Sequence, residues 1–168
     1  MIKRSAKYGL LTMLLVSSLT SKIANASTTV TGTVGVSATV IASCTIATTP
    51  VAFGNYTGAL LNANGNIALT CTTGTAVASI GLDGGVNAGA NAVTGRYMVL
   101  GTNHLPYSLY SDSGRTTNWG NPTGGPTAAA GTGAVQNYVI YGQIAAGQTV
   151  PVSAIQYVDT VNVTVIFN

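Results

Sequence analysis

The sequence predicts an all-β fold arranged as a two-sheet sandwich, and three observations carry that prediction. Apolar and polar residues alternate with period two through most of the chain after residue 26, and nothing there sustains the 3.6-residue rhythm of a capped helix. The alternating runs are rich in Thr, Val and Tyr, which suit a pleated, half-covered surface. The runs are short and separated by turn-forming stretches, as in two packed sheets. A length of 168 residues suggests one domain.

Residues 1–26 read as a secretory signal peptide. Lys3, Arg4 and Lys7 open it, an apolar run fills residues 9–19, and Ala24-Asn25-Ala26 sets the cut after Ala26. Eleven residues at about 1.5 Å each reach roughly 16 Å, against about 30 Å of hydrocarbon, so no membrane anchor is expected in the mature form. Ser27 stands where a bacterial lipoprotein would need Cys. Removing 26 of the 168 residues leaves 142, whose only charges are Arg96, Arg115, Asp83, Asp112 and Asp159, a formal −1. The calculated pI of about 9.0 therefore belongs to the precursor. So few charges exclude a nucleic-acid partner, and near-zero net charge favours self-association.

The first alternating run, residues 29–41, is one-faced. Val30, Gly32, Val34, Val36, Ala38 and Val40 fall on even positions, with Thr29, Thr31, Thr33, Ser37 and Thr39 on odd ones. A one-residue slip would bury hydroxyls and expose valines, so register is firmly specified. Burying four valines yields about 6 kcal/mol before ordering costs. Two readings of this run fit: the first strand of the chain's own sandwich, or a free extension that adds to another molecule's sheet edge. Only Ala42-Ser43 separates it from the next run, with no hairpin dipeptide between them.

Further runs are expected at residues 44–53, 66–73, 76–82, 96–101, 105–111, 135–144, 148–157 and 159–167, with turn-rich surface loops at 83–95 and 120–133. In an exported chain, Cys44 and Cys71 have one intramolecular pairing, and closing that 28-residue loop stabilises the fold by about 3.6 kcal/mol. No His or acid lies within twenty residues of Cys44, so a metal site is not expected there. In the last run Val161, Val163, Val165 and Phe167 share one face, while Asn162, Thr164 and Ile166 share the other.

Catalytic and ligand readings are set aside. Three acids with no Glu offer no carboxylate pair, and none sits in a nucleophile-elbow pattern, so no enzyme activity and no cofactor are expected. His104 is read as a loop residue, and Asp83-Gly84-Gly85-Val86-Asn87 as a tight turn rather than a cation loop. Gly131-Thr132-Gly133 lacks the third Gly and the helix of a dinucleotide fingerprint. The sequons at Asn55 and Asn162 are not expected to be modified. Trp119, Tyr107, Tyr110 and Tyr138 are read as packing aromatics before a surface-contacting patch.

The order of Cys44-Thr45-Ile46, Phe53-Gly54, Gly65-Asn66-Ile67-Ala68-Leu69-Thr70-Cys71, Ile80-Gly81-Leu82-Asp83-Gly84-Gly85, Arg96-Tyr97-Met98, Leu105-Pro106-Tyr107-Ser108-Leu109-Tyr110, Trp119-Gly120, Tyr141-Gly142 and Tyr157-Val158-Asp159-Thr160-Val161 resembles the spore coat protein U domain. That domain is shared with pilins of the archaic, Csu-type chaperone–usher pathway, and the resemblance spans nearly all of residues 29–167. It implies an incomplete immunoglobulin-like β-sandwich over residues 42–168 with an N-terminal donor strand at 27–41. It further implies a periplasmic chaperone, an outer-membrane usher and neighbouring pilin subunits as partners, in a cell-surface fimbrium serving adhesion and biofilm formation. The family's donor segment maps onto Val30, Val34, Val36, Ala38 and Val40. The candidate acceptor groove is Ile46, Ile67, Leu69, Val161, Val163, Val165 and Phe167. One departure is Ser153-Ala154-Ile155-Gln156-Tyr157, where the family more often has Gly two residues before the Tyr. A shaft or adaptor subunit is expected rather than a two-domain tip adhesin. The alternative is a self-contained secreted coat or extracellular binding protein with a complete sandwich.

Overall fold

A computed structural model describes residues 27–88, 93–121, 126 and 128–168; the expected signal segment and parts of both long loops lie outside the described residues. The chain divides into two units, Met1–Ala38 and Thr39–Asn168. In the first, residues 27–38 form no strand and are exposed throughout. The strand expected over 29–41 is absent because a ladder needs a partner, and backbone without one is left to water.

Among its described residues the second unit contains eight strands: β1 Cys44–Thr49, β2 Leu61–Cys71, β3 Val77–Leu82, β4 Tyr97–Leu100, β5 Asn103–Pro106, β6 Ser108–Tyr110, β7 Val135–Ile144 and β8 Val163–Phe167. One four-residue helical turn, α1 Gly85–Ala88, interrupts the first expected loop. All ladders are antiparallel. One sheet has the order β1-β2-β7-β6, and the pairs β3-β8 and β4-β5 make the remainder. A bridge from Val99 to Val158 ties β4 to the segment ahead of β8.

One hydrophobic cluster joins the layers. Ile67, Leu69, Ile140 and Ile144 come from the four-stranded sheet, and Val77, Ile80, Leu82 and Leu105 from the strand pairs. In β2 every second residue faces in, with Ile67, Leu69 and Cys71 fully covered. The Cys44–Cys71 disulfide forms, joining directly paired residues of β1 and β2.

Several boundaries differ from the sequence expectation for physical reasons. β2 begins at Leu61, five residues earlier than expected, because Gly65 does not break the strand. A Cβ there would lie 2.7 Å from the Thr49 carbonyl oxygen and 2.8 Å from a Val51 methyl, so glycine admits the crossing chain. The single run expected at 105–111 is two strands. It pairs with β4 up to Pro106 and with β7 from Ser108, switching where the Tyr107 N–H donates to the Arg96 carbonyl. The strand expected over 148–157 is absent: Pro151 removes a donor, and Val152 and Ile155 are exposed. His104 lies in β5 rather than a loop, its ring stacked on Tyr97 at 4.3 Å.

Candidate functional site

Cross-strand partners project from the same face of a sheet, so the ladders show which residues point inward. Cys44, Ile46 and Thr48 of β1 pair with the buried Cys71, Leu69 and Ile67. They therefore face the core, yet Ile46 is 45% exposed and every β1 residue after Cys44 is open to solvent. Val163 and Val165 of β8 pair with Leu82 and Ile80, both almost fully buried. They too face inward, yet are only half-buried, and Phe167 beyond them is exposed.

Among the described residues each of these strands has a ladder partner on one side only. The sandwich thus has two free edges whose inward side chains are incompletely covered. That is the opposite of β2 and β7, which lie mid-sheet and bury their inward residues fully at Ile67, Leu69, Ile140 and Ile144.

Of the residues expected to form the acceptor groove, Ile67 and Leu69 are covered core, Leu69 being paired directly with Ile46, and Val161, Val163 and Val165 pack half-buried against that same core. Ile46 and Phe167 lie outside the packed cluster, at the solvent boundary. Of the residues expected to act as a donor strand, Val30, Val34, Val36 and Val40 are 80% or more exposed, and Ala38 is exposed as well.

The segment leading into β8 is fastened by a polar network that sequence reasoning missed. The Asp83 carboxylate accepts the N–H of Gly85 and of Asn162, each at 2.9 Å, and the Asn162 side-chain amide at 2.6 Å. Asp159 accepts the Asn87 side-chain amide at 2.9 Å and the Tyr107 hydroxyl at 2.7 Å. The buried Arg96 guanidinium donates to the carbonyls of Leu82, Asp83, Val93 and Trp119 at 2.7–2.9 Å. Trp119 and Tyr107 are core residues, and the Trp119 indole N–H donates to the Ile80 carbonyl at 2.9 Å.

Protonation follows from this arrangement. Burial opposes ionisation of Asp83, but the bonds from Asn162 and Gly85, with Arg96 nearby, hold its carboxyl below the usual range. Burial, then the bond to Asp159, pushes the Tyr107 phenol well above its ordinary value. Burial also lowers Arg96, against the opposing influence of Tyr107 and the two aspartates. The signal available in the sequence was scarcity: two of the three acids in the whole chain, Asp83 and Asp159, lie in this network.

Among the described residues no three or more His, Cys, Asp or Glu side chains converge as metal ligands. Two shallow surface clefts, about 250 and 290 Å³, carry no acid or histidine in their linings. No helix among the described residues is long and apolar enough to cross a membrane.

The spore coat protein U domain model matches residues 30–164, most of the chain. The chain belongs to this family. Its curated relative Protein U of Myxococcus xanthus is 34% identical over 122 residues, covering 70% of this chain and 67% of that protein. Among solved structures, the chain is similar to one in the CsuC–CsuE chaperone–tip adhesion subunit pre-assembly complex from archaic chaperone–usher Csu pili of Acinetobacter baumannii. That likeness has a TM-score of 0.55 and 28% identity, and covers 76% of this chain but only 40% of the other. A member of the spore coat protein U family with this topology has an all-β, immunoglobulin-like sandwich, as the resemblance implied.

Proposed function

We propose that this protein is a structural subunit of an archaic chaperone–usher pilus, polymerising by strand donation. The observation that carries the reading is the pair of free edges on β1 and β8 whose inward residues, Ile46, Val163 and Val165, remain partly uncovered. A strand laid along such an edge gains a ladder of main-chain hydrogen bonds and covers those side chains. The chain carries a matching segment in residues 27–41, where Val30, Val34, Val36, Ala38 and Val40 form one alternating face.

Ile67 and Leu69 would floor the acceptor site, and Val161, Val163, Val165 and Phe167 would line its β8 side. Before assembly a periplasmic chaperone supplies the missing strand, and at an outer-membrane usher the extension of the next subunit replaces it. Extension and acceptor are different surfaces, so the contact is head-to-tail and gives an open filament. Exchange needs no nucleotide, because the replacement ladder drives it, and the product resists dissociation kinetically. The fibre is displayed at the cell surface for adhesion and biofilm formation.

The test is deletion of residues 27–41 from the mature protein. Strand donation predicts a subunit that folds with chaperone, fails to polymerise, and binds an added peptide of residues 27–41. A stable, chaperone-independent monomer of residues 42–168 that ignores the peptide would instead establish a self-contained secreted coat protein.

A further inference from the structure

The strand pair β3-β8 is a weak template by itself. It has only two strands, its register shifts between Val77 and Ser79, and isolated two-stranded pairs are marginal in water. A slip of one residue in β8 would turn Val163 and Val165 outward and bring Thr164 and Ile166 in. Something outside the ladder must hold that register while the second edge of β8 stands free.

The structure supplies holds at both ends. Beyond the C-terminal end of β8, Asn168 exchanges two backbone hydrogen bonds with Ala76. Ahead of Val163, the backbone N–H of Asn162 and its side-chain amide both end on Asp83, and the Asn162 carbonyl accepts the Asp83 N–H at 3.1 Å. Three residues earlier, Asp159 is bonded to Tyr107 and to Asn87, while the Val86 N–H donates to the Thr160 carbonyl at 2.9 Å. Together the two carboxylates therefore fasten the four residues, Asp159 to Asn162, that lead into β8, and neither belongs to the strand itself.

We propose that Asp83 and Asp159 are positioning residues that lock β8 in the register an incoming strand requires. The inference rests on the strand-donation reading for its consequence, but the lock itself is a property of the single chain. By fixing β8 in advance, the two carboxylates remove the need for the arriving strand to order its own template, which speeds productive addition.

The asymmetric Asp83–Asn162 pair offers a reciprocal test in the full mature chain. Asp83→Asn leaves a neutral amide pair and takes the charge out of all three bonds to residue 83, whereas the double variant Asp83→Asn with Asn162→Asp restores a charged carboxylate-to-amide bond between the two side chains. Fibre growth would be followed by light scattering, and backbone hydrogen exchange compared between Val163–Phe167 and the β2 core at Ile67–Cys71. The expected result for Asp83→Asn is roughly tenfold faster exchange confined to β8 and fibre growth slowed by a similar factor, with both restored in the swap. Asp112→Asn is the control, because Asp112 caps Thr116 and Thr117 outside the network. It should behave as wild type.

Exchange in β8 unchanged by Asp83→Asn, exchange rising equally in β2, or a swap that rescues nothing would each overturn the lock. If Asp83→Asn does not fold, Tyr107→Phe removes one bond to Asp159 and keeps the ring. It should still loosen β8 selectively, and a wild-type exchange pattern there refutes the inference. Wild-type chain that never forms fibres would overturn strand donation alone, leaving the exchange comparison to decide the lock.

Discussion

Replacing Arg96 with Met tests the physical account of the network most severely. The guanidinium is 1% exposed, and three of its bonds, to the carbonyls of Asp83, Leu82 and Trp119, are buried. Methionine keeps an unbranched apolar stem but cannot donate, so three buried carbonyls lose their partner at about 1–3 kcal/mol each. Removing a buried charge returns part of that, since desolvation is the main influence lowering Arg96. The lower end of the sum, about 3 kcal/mol, is therefore the expected loss, a large share of the roughly 5–15 kcal/mol typical of a domain. Urea unfolding of the oxidised mature chain measures it as a lower midpoint at unchanged slope. Arg96→Lys, which keeps the charge but not the fork, should fall between the two. A loss under about 1 kcal/mol for Met, or Lys no better than Met, would refute the reasoning.

The ionisations give a pH profile. The Asp83 carboxyl is held low in the folded chain, so its contribution is complete above about pH 3.9, its unfolded value, and fades as pH falls through the lower folded value. Tyr107 is raised, so its contribution is complete below about pH 10 and fades as pH climbs beyond it. Thermal melts across both ranges should show the acid limb flattened in Asp83→Asn and the alkaline limb in Tyr107→Phe. Gly142→Ala places a methyl 2.5 Å from a Val51 methyl and 2.9 Å from the Phe53 ring, and overpacking of that kind should cost about 1–3 kcal/mol in the same melts. Replacing Cys44 and Cys71 together by Ser should cost about 3.6 kcal/mol through the longer reach of the unfolded chain, with chemical denaturation as the check. Ile46→Lys should leave the melting temperature within a few degrees, because the side chain already meets solvent, while blocking capture of a peptide of residues 27–41. Unimpaired capture would remove Ile46 from the acceptor site.

The β-rich class, the disulfide and the inward face of the last strand were legible because each is written locally. Period-two alternation marks Val161, Val163, Val165 and Phe167, and two cysteines leave one pairing. β7 was legible at both ends, Val135 and Ile144, as an alternating run flanked by Gly133 and Gly147. What was not legible depends on distant partners. The residues at 148–157 alternate well enough for a strand, but no neighbour receives them. Gly65 reads as a strand boundary until Val51 is seen crossing it. The network around Arg96 draws on residues from Leu82 to Asn162, with no spacing rule to connect them.

Sheet edges are usually guarded by lysines, prolines or other devices that discourage a second chain from pairing. β1 reads Cys-Thr-Ile-Ala-Thr-Thr and β8 reads Val-Thr-Val-Ile-Phe, with no charge and no proline in either. Residues 27–168 have no Lys or Glu to lend, and the charges they carry are mostly committed elsewhere. Arg96 and Asp83 are buried, Asp159 is bonded to Tyr107 and Asn87, and Asp112 caps its own turn. Electrostatic repulsion therefore contributes little to keeping these edges apart. Protection has to come from occupancy: an edge filled by a matching strand has neither unpaired backbone nor uncovered valines to offer. On the strand-donation reading, the same feature that makes an empty chain prone to indiscriminate pairing makes a filled one inert. On that reading a chain built this way favours a partner from the moment it folds until it joins a fibre.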